Sequence, residues 1–163
     1  MYKTFRFIGI LVVCFYFWHY IFTYTEWHFI DYVNLIFHEA GHSIFAFFGE
    51  YFDVLAGSLF QFALPLGISI YFFFKKQSIS GSLCLLWVGQ NLLNISVYAG
   101  DAIKMNLDLL GGESSIHDWQ YLLSNIGMLH YTNTIASTIY FSGLMTILVG
   151  SILSIYYLIQ ENN

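Results

Sequence analysis

Charge is what this chain has least of. Only 9% of its 163 residues are Asp, Glu, Lys or Arg, against about 25% in soluble domains, and so few cannot cover a surface that faces water. An ordinary soluble fold is excluded. Basic residues are scarcer still: five Lys and Arg stand against ten Asp and Glu, and none of them cluster. That argues against a nucleic-acid partner. The two cysteines, Cys14 and Cys84, both fall in apolar stretches. They are read as small buried side chains, neither a disulfide nor metal ligands, and say little about compartment.

What the chain has in abundance is apolar surface, with 58% hydrophobic and 21% aromatic residues. It is arranged in runs close to the roughly 20 residues that a bilayer core requires: residues 7–24, 29–48, 54–74, 83–103 and 134–159. These predict an all-α, polytopic helical membrane protein in one domain over residues 1–163, with about five transmembrane helices. Tyr and Trp near the run ends suit the membrane interface. Lys3 and Arg6 before the first run give it the look of a secretory signal, but it is too long and too aromatic, and no small-residue cleavage site follows. It is read as a retained span. If five spans alternate, three of the five Lys and Arg fall on the side of the N-terminus and two, Lys75 and Lys76, on the other, a split too even to set orientation.

Within the second run lies His38-Glu39-Ala40-Gly41-His42, an H-E-x-x-H motif. Residues four apart share a helix face about 5–6 Å apart, so both imidazoles can reach one zinc ion with the Glu beside it. In zinc hydrolases that use this motif, the Glu takes a proton from water whose pKa the metal has lowered from near 16 to about 7. The alternative is a helix with two core-facing histidines. Around the helix, Asp31, Asn34, His38 and His42 fall on one face, while Val33, Ile36, Phe37, Ile44, Phe47 and Phe48 fill the other. Ionisable residues at such depth are costly unless paired, bound to metal or exposed to an aqueous cavity.

Three further stretches bear on the site. Gly57 and Ser58 interrupt an apolar run, so residues 50–61 are either partly non-helical, with an edge that could receive an extended peptide, or part of an ordinary helix bent near Pro65. In the fourth run Asn91, Asn94, Tyr98 and Asp101 share one helical face with Trp87. Asp101 is its only carboxylate and a candidate third metal ligand, or else an interfacial partner of Lys104. Ser115 to Asp118 has the spacing of a capping box, predicting a short interfacial helix to about residue 129. There His117 is a candidate ligand or transition-state donor and Asp118 a candidate outer partner of an imidazole; both are also ordinary helix-start residues. In the last run Thr138, Ser142, Thr146, Gly150 and Ser154, at four-residue spacing, predict a close-packing face.

Motif and membrane setting together resemble the site-2 protease family of intramembrane zinc metalloproteases. His38, Glu39 and His42 match its zinc and base motif, and Ala46 and Gly49 look like the small residues that follow it. In that family an Asp on a later membrane helix, usually in an Asn-Pro-Asp-Gly-like run, is the third ligand. The matching candidate is Gly100-Asp101-Ala102, which lacks both the Pro and the following Gly. The chain is also similar to small bacterial membrane proteins that combine H-E-A-G-H, a later Asp-Ala and a His-Asp-Trp run, here His117-Asp118-Trp119. The resemblance implies a zinc metallopeptidase of a cytoplasmic membrane acting on a membrane protein or peptide. His38, His42 and Asp101 would hold zinc, Glu39 would be the general base, and His117, Asn91 or Asn94 would donate to the oxyanion. The motif specifies activated water and not what the water attacks, so a lipid amide or ester remains an alternative substrate. A metal-binding or transport protein without catalysis is another.

Overall fold

The computed structural model describes residues 2–110 and 116–162. Among the described residues the chain is helical with no strand: α1 (Tyr2–Thr23), α2 (Phe29–Phe45), α3 (Glu50–Phe74), α4 (Ser78–Gly100), the short α5 (Asp118–Asn125) and α6 (Thr132–Asn162). The five apolar runs resolve into four helices long and apolar enough to cross a membrane, α1, α3, α4 and α6. At 17 residues, α2 is shorter.

Residues 50–61 are helical throughout. Gly57 and Ser58 lie inside α3, so no strand edge is available there for an added peptide. A helix-interior glycine costs about 1 kcal/mol relative to Ala, and this one leaves room for two histidine rings packed against it. The short helix begins later and ends earlier than its sequence suggests. Ser115 lies outside the described residues; the observed N-cap is His117, whose Nδ1 accepts from the Gln120 N–H at 3.3 Å. Gly127, with φ of +69°, follows the last turn of α5.

Helix α2 is inside out. Asp31, Asn34, His38 and Gly41 are its buried residues, while Phe29 and Ile36 are 81% and 66% exposed. The other helices also turn large apolar side chains outward, among them Phe22, Phe74 and Phe141. A water-soluble monomer rarely shows contiguous apolar surface on this scale; lipid accepts it.

Close approaches of small residues hold the bundle together. Gly89 of α4 faces Gly143 of α6 so tightly that a Cβ on Gly89 would lie 2.7 Å from the Gly143 carbonyl oxygen, and Gly150 packs on Ser82 and Leu86. Of the series that four-residue spacing marks out, only Gly150 and Ser154 are buried in the bundle, and Thr138 and Ser142 are exposed. Each four-residue step advances about 40° around a helix, so Thr138 and Ser154 point about 160° apart. Thr138, Ser142 and Thr146 instead donate their hydroxyls to carbonyls of their own helix four residues back.

Paired contacts also fix the sense of each helix. α1 runs antiparallel to α6, joined by Arg6–Glu161, Trp18–Ser151 and Tyr24–Tyr140. α6 is antiparallel to α4, and α3 to α4 through Ser69–Gly81 and Gln61–Asn94. α2 is antiparallel to α3 through His38–Gln61 and His42–Asp53. It follows that α1 and α4 run in one sense, α3 and α6 in the other. Between α1 and α2 the chain turns back, with His28 and Asp31 returning beside Tyr20, and α2 lies across α4, Asp31 at Gln90 and Asn94 and Asn34 at Gln90 and Trp87. An apolar core runs from Ile10, Cys14, Ile79 and Leu158, near the end of the bundle where α1 and α4 begin, up to Tyr20, Ile21 and Leu93, and the ionisable side chains of α2 and α5 gather toward the other end.

Candidate metal centre

His38 and His42 stand one turn apart on α2, their ring centroids 4.8 Å from each other. Asp118 reaches them from the first residue of α5, its Oδ2 lying 2.9 Å from His38 Nε2 and 3.3 Å from His42 Nε2. The donor atoms of all three lie within 4.8 Å of one another. Asp118 and His38 are buried and His42 is half-buried. Burial opposes charge on Asp118, but hydrogen bonds and charge from the two imidazoles, when these are protonated, outweigh that and hold the carboxyl below its usual range.

The opposite edges of the rings decide which nitrogen carries the proton. His42 Nδ1 faces the Asp53 carbonyl oxygen at 2.9 Å and its carboxylate at 3.2 Å; both only accept, so Nδ1 is the N–H. For His38 the assignment comes through two amides. The Asp31 carboxylate accepts from Tyr20 Oη, Gln90 Nε2, Asn94 Nδ2 and the His28 N–H. With its Nδ2 so engaged, Asn94 offers Oδ1, which accepts from Gln61 Nε2 at 2.8 Å. Gln61 therefore turns Oε1 to His38 Nδ1 at 3.2 Å, and that nitrogen must donate. In the neutral rings both Nε2 atoms then carry lone pairs. Beside the Asp118 oxygen they make three converging acceptors, an arrangement satisfied by a metal ion among them or, without one, by further protons on the imidazoles that donate to Asp118.

A metal ion fits these residues. Zinc takes imidazole nitrogen and carboxylate oxygen at about 2.0–2.2 Å, which spaces neighbouring ligand atoms of a tetrahedral shell about 3.3 Å apart, close to the separations found. Partners on the far ring nitrogens that fix tautomer and orientation are themselves usual around metal-binding histidines. Three protein ligands leave a fourth position open, as in catalytic rather than structural zinc sites.

Gly57 makes room for the two rings. A Cβ there would stand 2.5 Å from His42 Nε2 and 2.7 Å from His38 Nε2, against the very atoms that would bind. Gly57→Ala is accordingly expected to abolish metal binding. Gly67→Ala, on the same helix with nothing within 4 Å of the added carbon, retains it. Metal content of the two purified variants checks this, and a Gly57→Ala protein with a full complement would contradict it.

The other sequence candidates are placed as follows. Asp101 does not join the imidazoles. It is the C-cap of α4, and its carboxylate folds over the next turn to accept from the Asn106 and Leu107 N–H groups at 3.0 and 2.9 Å. His117 is buried with Nε2 3.4 Å from Asp101 Oδ2 and its ring 4.5 Å from that of Tyr98. It caps α5 and is not among the residues lining the cavity beside the imidazoles. Asn91 bonds back to the Trp87 carbonyl of its own helix, whereas Asn94 belongs to the chain of amides behind His38. The residues of the His-Asp-Trp run thus divide three roles among them. His117 starts the helix, Asp118 faces the imidazoles, and Trp119 donates to Ser58 at 3.1 Å, tying α5 to α3 beside Gly57.

Glu39 is exposed into a cavity of about 670 Å³ whose walls also include His38, His42 and Asp118. Its far side is made by residues 24–27, between α1 and α2, and 107–110, after α4. Among the described residues the Glu39 side chain makes no hydrogen bond. Tyr98 lines the same cavity, and its hydroxyl accepts from the Asp118 N–H at 3.0 Å. Gln61, Gln90, Asp53 and Tyr20 are the supporting residues that the motif does not reveal. One signal for Gln61 was present: Gly57, Ser58, Gln61, Pro65 and Ser69 form a small and polar stripe on an otherwise apolar helix, and all five are buried. Comparison with known proteins yields no match to a family, to a curated protein or to a solved structure.

Proposed function

We propose that the chain is a membrane-embedded, zinc-dependent hydrolase that cleaves a peptide bond of a membrane protein or peptide within or near the bilayer. The observation that carries this reading is the convergence of His38 Nε2, His42 Nε2 and Asp118 Oδ2, with outer partners that leave the neutral rings' lone pairs facing inward, beside a glutamate whose side chain is otherwise unbonded among the described residues, in one cavity. Zinc held there supplies a Lewis acid that activates water and polarises a carbonyl.

The chain's own groups do the rest. Glu39 accepts the proton of the attacking water as its oxygen bonds to the carbonyl carbon, then delivers it to the amide nitrogen as the C–N bond breaks, leaving a carboxylate and an amine. Tyr98 has given its acceptor site to Asp118 and keeps its own proton free among the described residues. It stands ready to donate to the carbonyl oxygen as charge develops there. The roles that sequence gives to His117, Asn91 and Asn94 at the oxyanion pass to it. A substrate helix must unwind locally, because its peptide bonds are otherwise closed by their own hydrogen bonds.

Hydrolysis of a lipid ester or amide uses the same chemistry, but the cavity suits it less. Its charged walls are Glu26, Asp31, Glu39, Asp108 and Asp118, with neither Lys nor Arg to meet a lipid phosphate. A transport path would have to continue to the far end of the bundle, where the apolar core lies. Purified protein offered labelled transmembrane peptides and labelled phospholipids is expected to turn over peptide alone. Turnover of lipid alone, abolished by Glu39→Gln, would replace the peptidase reading with a lipase one.

A further inference from the structure

We propose that the metal cavity opens on the non-cytoplasmic side of the membrane, so that its substrate is a polypeptide segment presented at that face. The inference follows from the sense of the helices. α1 ends where α6 begins, with Tyr24 against Tyr140, and α3 begins where α4 ends, so α2 leaves and returns to the same end of the bundle and is not a crossing. Irregular backbone within a bilayer is tolerated where it borders a cavity, and residues 24–27 do so. The crossings are then α1, α3, α4 and α6, the helices of spanning length.

That geometry redistributes the charges. Lys3 and Arg6 lie in the first two turns of α1, and Arg6 pairs with Glu161 near the end of α6. The turn between α3 and α4, which carries Lys75 and Lys76, is at the same end, because α4 and α6 are antiparallel. Four of the five Lys and Arg of the chain thus share one end, and Lys104, just after α4, is alone at the other. Cytoplasmic loops carry the excess of Lys and Arg, and the anionic inner leaflet attracts them. The end bearing both termini is therefore cytoplasmic. The segment after α4 that walls the cavity, with Asp108 exposed on it, faces the opposite compartment. An even three-to-two split, which assumes that every apolar run crosses, becomes four to one once α2 is no separate crossing.

Only the identity of the substrate rests on the peptidase reading; the orientation does not. In the full-length chain with Cys14→Ala and Cys84→Ala, single Asp108→Cys and Lys76→Cys variants are exposed to a membrane-impermeant maleimide on intact cells. Asp108→Cys is expected to label at once and Lys76→Cys only after permeabilisation. Should a cysteine variant fail to accumulate, a reporter fused after residue 163 answers the same question: green fluorescence is expected, and alkaline phosphatase activity is not. The reverse pattern, or labelling of both sites in intact cells, overturns the orientation. Since labelling needs no turnover, it separates this inference from the hydrolase reading, which fails only if peptide is not cleaved.

Discussion

Asp118→Ala is expected to lower zinc affinity by more than about 100-fold, whereas Asp101→Ala leaves it within about tenfold of the unaltered chain. Loss of an outer partner of a metal ligand typically costs 10–100-fold, and loss of a ligand itself should exceed that. The contrast follows from where the two carboxylates point. Asp118 Oδ2 lies within 3.3 Å of both imidazole Nε2 atoms, while the Asp101 oxygens are taken by two backbone N–H groups of the following turn. Asp101 also touches His117, so its removal loosens the start of α5 and acts on Asp118 indirectly. Competition with a chelating dye measures both variants, and helical content by circular dichroism shows whether each is folded. Zinc lost from a folded Asp101→Ala protein, and kept by Asp118→Ala, would reverse the ligand assignment.

Glu39→Gln is expected to lower the rate of peptide cleavage by about 10²–10⁴-fold, the usual range for a positioned general base, with zinc content unchanged. The substitution keeps shape and removes only the ability to take a proton. No hydrogen bond of the fold is at stake, because among the described residues the Glu39 side chain makes none, and it is exposed in the cavity. A fall in rate with metal retained therefore reports chemistry and not stability. Single-turnover cleavage at saturating peptide, run beside a zinc assay of the same sample, gives both numbers. Undiminished cleavage by Glu39→Gln would remove the hydrolytic mechanism while leaving the metal site in place.

The features legible in the sequence are those carried by periodicity. The motif at His38–His42, the polar face of α2 and the helical class all follow from residues on one element, where a spacing of three or four fixes a shared face. What could not be read is how elements meet. By position in the chain Asp101 is the candidate ligand and Asp118 the outer partner, and the structure puts Asp118 at the imidazoles instead. Which one reaches α2 depends on where α4 ends and how the segment after it folds back. That α2 is no separate crossing is likewise invisible, since an apolar run does not show where its ends lie; it emerges only from pairs such as Tyr24–Tyr140, Gln61–Asn94 and Ser69–Gly81. Gly57 is a third case: in sequence a glycine and a serine in an apolar run suggest a break, and in the bundle the missing Cβ is the space in which two imidazoles lie. The residue-by-residue wiring of Asp31, Asn94 and Gln61 behind His38 joins three helices and has no local signature.

The most direct test is the metal itself: zinc stoichiometry of the protein isolated in mild detergent without chelators, with its zinc K-edge absorption spectrum. The account predicts one zinc per chain, with two imidazole nitrogens and a shell completed by oxygen at about 2.0–2.2 Å. A chain that stays metal-free after zinc is supplied, or one whose bound zinc lacks imidazole, would contradict it.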